Sequence, residues 1–412
     1  MVKILHFADA HIDIATSGPY DPTTGLFLRV TDFLKSLDAI VETAINERVD
    51  LVIFAGDAYK DRSPAPTYQR EWGKRMMRLS RAGIPTLLLT GNHDTSPSQL
   101  RAHAIQEFAT LDVPHVYVVD KPRLFGPPDL ENLPVQVLAI PWVTPSAVKN
   151  AAPETTEPNA DLNLIVENAV GVMIQDALNQ RDETLPFILT AHASIQGALI
   201  GEERKIKLGR DVQLSQGLVK DARIDYVALG HIHRFQDLNA GNHPPVIYSG
   251  SIERVDFGEV NDDKGFVVAE VSRGETRYHW HKLNTRPFLD FKVTLSSGER
   301  AMEKIMSALP PAEEFEGAIA RLTINYPDDI NATIDDAEIR ERARLAMELK
   351  INRQPSFNLR ARLGESGETQ SMTPAELLQL YWKQSHMDES EVEALQALGE
   401  RIIHGETSST QN

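Results

Sequence analysis

The stretch LTGNHDT, residues 89–95, places an amide, an imidazole and a carboxylate directly behind an apolar run. The preceding residues, 84–88, have the apolar composition of a buried β-strand. Asn92, His93 and Asp94 would destabilise a core if they entered it without partners. We therefore interpret the strand as a rigid support whose end presents these polar groups to a site.

Four further apolar runs end in the same manner, at residues 2–8, 51–55, 187–192 and 226–231. The candidate ligands at the five ends are Asp9, His11, Asp57, Asn92, His192, His231 and His233. In parallel α/β sheets the carboxyl ends of the strands form the edge at which ligands bind. The sequence therefore predicts that residues far apart along the chain meet in one site.

All seven candidate ligands offer oxygen or imidazole nitrogen, which suits Mn, Fe, Zn or Mg. The chain has no cysteine, and this excludes disulfides, thiolate zinc sites and cysteine nucleophiles. Seven ligands exceed the needs of one ion, so we expect two divalent ions that share a carboxylate, with Asp57 as the bridge. Two ions about 3.5–4 Å apart can clamp the attacking and leaving oxygens of a phosphoryl displacement.

Alternating apolar patterns predict an α/β fold built from two facing β-sheets flanked by helices. Strands over 2–8, 51–55 and 84–90 alternate with helices over 26–44, 68–79 and 98–109, as parallel strands with right-handed crossovers require. We predict a helix near 161–179 and a surface excursion over 144–161. Seven later strands with shorter connections are expected to form the second, facing sheet: residues 115–119, 135–140, 187–192, 226–231, 246–251, 265–271 and 277–283.

The pattern changes after residue 284, where we predict a small α+β unit. Its expected elements are a strand from 288, a helix over 298–308, a strand over 319–327, a helix over 336–350 and a strand from 356. Two helical patterns follow at 374–385 and 390–403, and the last residues, 405–412, have the polar composition of a disordered tail.

The composition is that of a globular protein with a formal net charge of −17 over 412 residues. No apolar run approaches the roughly 18 residues of a membrane span, and the first residues lack the pattern of a secretory leader, so we expect a cytoplasmic protein without a membrane partner. Basic residues cluster over 60–81 and 204–210, and for either cluster alone a solvated surface is the favoured interpretation.

Taken together, Asp9-Ala10-His11, Gly56-Asp57, Gly91-Asn92-His93-Asp94, His192 and Gly230-His231-Ile232-His233 resemble the motifs of the calcineurin-like metallophosphoesterases. The segment GSIERVDFGE, residues 250–259, is similar to the one that follows in SbcD-type nucleases, the nuclease subunits of a double-strand-break repair nuclease–ATPase complex.

The resemblance implies two manganese ions. The first would be bound by Asp9, His11, Asp57 and His233, and the second by Asp57, Asn92, His192 and His231. His93 would face the scissile phosphate as a charge stabiliser or proton donor, and Asp94 would orient its imidazole. Three residues beyond Asp57, where the family commonly has His or Asp, this chain has Lys60.

The resemblance also implies a nuclease domain over 1–283, a DNA-recognising capping domain over 285–365 and a helical segment over 370–404 that docks on an SbcC-type coiled-coil ATPase. It further implies a homodimer through the helices near 67–81 and 98–109, with Trp72, Met76, Leu100 and Phe108 at the contact. The alternative to both interfaces is that these apolar faces pack within the chain.

Three functions compete on these grounds. The first is a metal-dependent DNA exonuclease and single-strand endonuclease, the second a small-molecule phosphodiesterase or phosphatase, and the third a scaffold without catalysis. The scaffold is disfavoured because no expected ligand is substituted. The small-molecule enzyme leaves residues 250–259 and the C-terminal units without a role, so we expect the nuclease.

Overall fold

The computed structural model describes residues 1–14, 18–95, 102–151, 161–199 and 212–355, with a few isolated positions between 373 and 399. The chain divides into two compact units. The first is formed by Met1–Leu289, Gly317–Ile319 and Ala346–Glu348, and the second by Asp290–Glu316, Ala320–Leu345 and Leu349–Asn412.

The strands, in chain order, are β1 (Val2–Phe7), β2 (Tyr20–Asp21), β3 (Leu26–Phe27), β4 (Leu51–Phe54), β5 (Thr86–Leu89), β6 (Val116–Val119), β7 (Arg123–Phe125), β8 (Gln136–Ile140), β9 (Phe187–His192), β10 (Ser194–Ile195), β11 (Gln213–Leu214), β12 (Tyr226–Gly230), β13 (Gln236–Asp237), β14 (Val246–Tyr248), β15 (Gly265–Ser272), β16 (Glu275–Lys282), β17 (Phe288–Thr294), β18 (Ile319–Tyr326) and β19 (Glu348–Pro355). The α-helices are α1 (Leu28–Asn46), α2 (Pro66–Arg81), α3 (Glu107–Thr110), α4 (Pro145–Ala151), α5 (Leu162–Gln180), α6 (Gln216–Val219), α7 (Ala301–Ala308) and α8 (Asp336–Arg342).

Two six-stranded sheets form the first unit. The first sheet has the order β16-β15-β1-β4-β5-β6, in which β1, β4, β5 and β6 run parallel and β15 pairs antiparallel with β1. The second sheet has the order β13-β14-β12-β9-β8-β7, with β8, β9, β12 and β14 parallel. The parallel strands of each sheet therefore present their carboxyl ends at a common edge.

The two sheets face each other across an apolar layer, which confirms the predicted fold class. Alternate residues of one strand point to opposite faces of its sheet. Ile4 and Ile53 accordingly pack with Ile188 and Ala228 of the second sheet in the layer between the sheets. Phe7, by contrast, packs with helices α1 and α2 on the outer face of the first sheet, and helix α5 covers the outer face of the second.

Three of the seven strands expected in the second sheet belong to the first. Strand β6 pairs with β5, and β15 returns along β1, placing Val271 opposite Val2 before the chain turns into β16. The strands themselves were predicted, but an apolar period of two does not state which sheet a strand joins. For β15 the choice depends on pairings with β1, between residues more than 200 positions apart in sequence.

The helix predicted over 98–109 is also corrected. Residues 98–101 lie outside the described part of the chain, residues 102–106 are irregular, and α3 comprises only Glu107–Thr110. The backbone N–H of Ala104 donates to the Asp94 carbonyl at 3.2 Å instead of to a helical carbonyl. This segment therefore packs against the GNHD loop.

The second unit contains most of the three-stranded sheet β17-β18-β19 and helices α7 and α8. Leu322 and Ile324 of β18 are buried with Ile305, Phe315 and Ile339 of the same unit. The helix predicted over 336–350 ends at Arg342, and Glu348–Pro355 forms strand β19 beside β18. Strand pairing here overrides a local sequence that favours helix. The strand predicted from 356 lies outside the described residues.

The surface proposed for a dimer is corrected as well. Trp72 and Met76 are fully buried and Phe108 is 4% exposed, because all three pack in the core beneath the first sheet. They are not available to a partner, and Leu100 lies outside the described residues.

Several basic side chains between 60 and 81 are paired within the chain. Arg75 binds Asp38 and Glu71, and Arg78 binds Asp38 and Glu42. Acidic residues of helix α1 thus neutralise much of the basic face of α2. This agrees with the interpretation of residues 60–81 as an ordinary solvated surface. The second basic cluster, 204–210, lies outside the described residues.

Among the described residues, no helix combines the length and apolarity that crossing a bilayer requires. The C-terminal helices predicted over 374–385 and 390–403 and the tail over 405–412 fall almost entirely outside the described part of the chain.

Candidate metal centre

The structure brings the seven predicted ligands together where the carboxyl ends of β1, β4, β5, β9 and β12 meet. Asp9, His11 and His233 form one group, and Asp57, His192 and His231 form another, with the ligand atoms of each group within 4.8 Å of one another. Oδ1 of the seventh residue, Asn92, lies 3.0 Å from His192 Nε2 and 3.0 Å from His231 Nδ1. Asn92 therefore lies with the second group.

Asp57 lies between the two groups. Its Oδ2 is 3.3 Å from His192 Nε2 and 3.9 Å from His11 Nε2, so one carboxylate oxygen faces a ligand of each group. Asp57 thus has the position that a bridging carboxylate requires. Within the first group, His11 Nε2 and His233 Nε2 are 3.2 Å apart.

Four of the seven residues adopt left-handed backbone conformations. The φ angles are 52° for Asp9, 37° for His11, 63° for Asp57 and 97° for His231. A residue other than glycine in this region costs of order 1–3 kcal/mol, and such strain concentrates at functional sites where the surroundings enforce it. Here the turns direct polar side chains back over the strand ends.

Two glycines allow the loops to approach one another closely. A Cβ on Gly91 would collide with the carboxylate of Asp57, and one on Gly56, whose φ is +102°, would collide with the His192 ring. The glycines before Asp57 and Asn92 thus serve the approach of the ligands themselves, in addition to the turn.

Three of the histidines are held from outside the two groups by one ring nitrogen. His11 Nδ1 donates to the Tyr59 carbonyl at 3.3 Å, and His192 Nδ1 donates to the Ala55 carbonyl at 2.7 Å. His233 Nδ1 lies 2.7 Å from Glu259 Oε1. In each case the other nitrogen, Nε2, faces the group, which is the arrangement by which proteins orient metal-binding imidazoles.

Glu259 and Lys264 form a buried pair behind His233. Lys264 Nζ lies 2.7 Å from Glu259 Oε2 and donates to the His233 carbonyl at 2.9 Å, and both side chains are 2% exposed or less. Burial alone would raise the pKa of Glu259, but His233 and Lys264 lower it to about 2. A carboxylate therefore faces His233, and Lys264 balances its charge.

The charge of the site favours bound cations. Burial lowers the pKa of His11 well below its usual value, so this imidazole stays neutral, as a ligand must. Burial would also lower the pKa of His192, yet the neighbouring Asp57 raises it to about 9. Burial alone would raise the pKa of the Asp57 carboxyl, but His192 and His11 lower it, so the proton lies on His192. A divalent ion would take the place of that proton. The residues present fit two divalent ions.

His93 lies beside these groups. Its backbone N–H donates to Asp57 Oδ1 at 2.8 Å, and its ring packs edge-on against His11 with centroids 5.1 Å apart. Its Nδ1 is 2.8 Å from the Lys60 carbonyl oxygen. Because a carbonyl only accepts, Nδ1 carries the proton, and Nε2 is the nitrogen through which His93 can exchange a proton with a substrate.

The orienting role expected for Asp94 is corrected. Its carboxylate is fully buried and accepts the backbone N–H groups of Asp57 at 2.8 Å, Ala58 at 3.0 Å and Gly91 at 2.9 Å. Asp94 therefore ties the GNHD loop to the loop after β4. The His93 ring instead donates its hydrogen bond to the Lys60 carbonyl.

Sequence reasoning missed three residues that contact the ligands or support them. Trp142, directly after β8 and Pro141, packs its ring 5.0 Å from the His231 ring and 6.0 Å from the His192 ring. Glu259 and Lys264 support His233. Glu259 lies in the GSIERVDFGE segment, so the resemblance contained a signal for it, whereas nothing in the sequence marks Lys264 or Trp142.

Comparison with known proteins agrees with this geometry. The family model described as calcineurin-like phosphoesterase matches residues 2–235. Similar proteins include the SbcD component of the nuclease SbcCD of Escherichia coli, 27% identical over 90% of this chain and 95% of the relative. The corresponding component of Rhodobacter capsulatus is 26% identical over 82% of this chain and 84% of the relative. A DNA double-strand break repair protein of Methanosarcina acetivorans is 21% identical over 82% of this chain and 48% of the relative.

Proposed function

The chain belongs to the calcineurin-like phosphoesterase family, and from that premise we propose that it is a metal-dependent DNA nuclease, with exonuclease activity and endonuclease activity on single strands. The observation that carries the proposal is the pair of adjacent ligand groups with Asp57 between them. The similarity to the SbcD components of two SbcCD nucleases, which covers more than four fifths of this chain in each case, supports DNA as the substrate.

In this proposal the first ion would be bound by Asp9, His11, Asp57 and His233. The second would be bound by Asp57, Asn92, His192 and His231. Two bound ions, in our proposal Mn²⁺, supply Lewis-acid stabilisation of the charge that develops on the attacking and leaving oxygens.

The remaining chemistry falls to His93. The Lys60 carbonyl fixes the proton on Nδ1, so a protonated imidazole would deliver its second proton from Nε2 to the leaving oxygen of the scissile phosphodiester. In its neutral form His93 has no proton on Nε2 to give. We therefore assign it as the general acid, a role worth about 10²–10⁴-fold in rate.

We further propose that the chain works with an SbcC-type ATPase. Residues 370–404 are assigned to docking on that partner and residues 285–365 to capping and DNA recognition. A homodimer also belongs to this proposal, through a surface other than the buried residues Trp72, Met76 and Phe108. We also propose that the protein is cytoplasmic. A chain truncated near residue 373 is expected to keep its nuclease activity and to lose co-purification with the ATPase.

The experiment for the nuclease uses the purified full chain with Mn²⁺. Its substrates are end-labelled linear duplex, circular single-stranded DNA and bis-p-nitrophenyl phosphate. We expect metal-dependent shortening of the duplex and cutting of the circle. The His93→Ala variant is expected to retain its ions and lose at least about 100-fold in rate on DNA. Hydrolysis of the chromogenic diester without any cleavage of DNA would contradict the assignment of DNA as substrate.

A further inference from the structure

The His93 ring is held by a backbone atom of another loop. Its Nδ1 donates to the Lys60 carbonyl at 2.8 Å, three residues beyond Asp57. The direction of that carbonyl therefore decides the orientation of the imidazole. The Lys60 side chain has no part in this contact, so the orientation does not depend on the residue type at position 60.

The direction of the Lys60 carbonyl is set in turn by Asp13. The Asp13 carboxylate accepts the backbone N–H of Lys60 at 2.5 Å with Oδ1 and the backbone N–H of Asp61 at 3.0 Å with Oδ2. The Lys60 carbonyl and the Asp61 N–H belong to one peptide unit, and in a trans peptide they point in opposite directions. An Asp61 N–H turned toward Asp13 therefore turns the Lys60 carbonyl away from Asp13, and its acceptor is directed to His93.

Asp13 is itself well fixed. It is 5% exposed and lies two residues beyond the ligand His11. The backbone around it is bound to the loop after β4, since His11 N–H donates to the Asp57 carbonyl at 3.2 Å and Ile12 N–H to the Ala58 carbonyl at 3.2 Å. The Asp13 carboxylate thus fixes the loop after β4 relative to the loop after β1.

We propose that Asp13 is a positioning residue for His93, acting through the peptide between Lys60 and Asp61. It touches neither the substrate nor the two ligand groups in this role. The inference rests on the proposed function of His93 as general acid, and it adds the residue that keeps the His93 ring in the orientation this chemistry needs.

The test compares Asp13→Ala with Asp61→Ala in the full chain with Mn²⁺. Asp61 is a matched control, because it is an aspartate of the same loop whose side chain accepts the Ser63 N–H at 2.9 Å and whose own backbone N–H is unaffected by the substitution. We expect Asp13→Ala to lower kcat on DNA at least about tenfold, as a fraction of the general-acid contribution, without a change in KM or in bound Mn²⁺. Asp61→Ala is expected to stay within twofold of the parent.

A double-mutant cycle distinguishes an effect through His93 from a general structural effect of Asp13. If Asp13 acts through His93, adding Asp13→Ala to His93→Ala lowers the rate by less than twofold. The loss from Asp13→Ala should also shrink with bis-p-nitrophenyl phosphate, whose leaving group departs without a proton. An equal loss in the presence and absence of His93, or equal losses on both substrates, would overturn the proposal.

A crystal structure of Asp13→Ala gives a readout that does not depend on the substrate. We expect the His93 Nδ1 to have lost the Lys60 carbonyl while the seven ligands keep their places. An intact hydrogen bond between His93 and Lys60 would refute the role of Asp13 even if the parent cleaves DNA. A parent that does not cleave DNA would refute the proposed function, and the crystal structure would still decide the role of Asp13.

Discussion

The buried pair of Glu259 and Lys264 offers the sharpest test of how this site is supported. Removing one member of a buried ion pair leaves the other charge without compensation and costs about 3–5 kcal/mol. Lys264 is fully buried and its Nζ lies 2.7 Å from Glu259 Oε2, so neither group can regain water. Set against a typical unfolding free energy of about 5–15 kcal/mol, either single substitution is a large loss.

The substitutions are Glu259→Gln, Lys264→Met and both together, and the measurement is urea unfolding in a chelator. We expect each single variant to lose about 3–5 kcal/mol of unfolding free energy, and the double variant to lose no more than either single one, because it buries no unpaired charge. If the two single losses instead add to the double loss within about 0.5 kcal/mol, Glu259 and Lys264 act independently and do not form a coupled ion pair.

The same pair should affect the binding affinity for one of the two metal ions. Glu259 Oε1 holds His233 Nδ1 at 2.7 Å, and loss of such an outer contact weakens metal binding about 10–100-fold. Isothermal titration of Glu259→Gln with Mn²⁺ should therefore show one weakened ion and one unchanged. A matched control is Asp225→Asn, which removes a buried carboxylate bound to Arg273 at 2.9 Å and lies outside the two groups. If both variants weaken Mn²⁺ equally, the effect is one of general stability.

Two further predictions concern the rings of His6 and Trp142. His6 is buried and bonded to Tyr226 and the Leu229 carbonyl, and burial lowers its pKa to about 3. As the pH falls, the unfolded state binds a proton on His6 before the folded state does. His6 therefore lowers the unfolding free energy by about 1.6 kcal/mol between pH 6.5 and pH 5. His6→Gln should lack this fall in stability, and its persistence in the variant would contradict the lowered pKa. The Trp142 ring lies against His231 and His192, so Mn²⁺ should quench its fluorescence, and a quench undiminished in Trp142→Phe would place the second ion elsewhere.

The seven ligands were predictable because each follows an apolar strand and the carboxyl ends of parallel strands share an edge. The register that joins β15 to β1 was not, since Val271 and Val2 are distant in sequence and nothing local specifies their pairing. The contact between Lys60 and His93 was invisible for a related reason. It uses a backbone carbonyl, and the residue type at position 60 carries no information about it.

The orienting role first given to Asp94 illustrates the same limit. Adjacency in sequence suggested that Asp94 would reach the His93 ring, but successive residues of a turn point apart. The three backbone N–H groups of Asp57, Ala58 and Gly91 surround its carboxylate instead. Motif spacing identified the polar residues of the site. Their hydrogen-bond partners depend on the geometry of the turns, which the spacing does not reveal.

In the proposed site, two divalent ions would bind side by side with Asp57 between them. Anomalous scattering from crystals of the full chain grown with Mn²⁺ would locate both ions without reference to any substrate. We expect two peaks about 3.5–4 Å apart, one among Asp9, His11 and His233 and the other among Asp57, His192 and His231. A single peak at full occupancy, or a second peak away from Asp57, would contradict it.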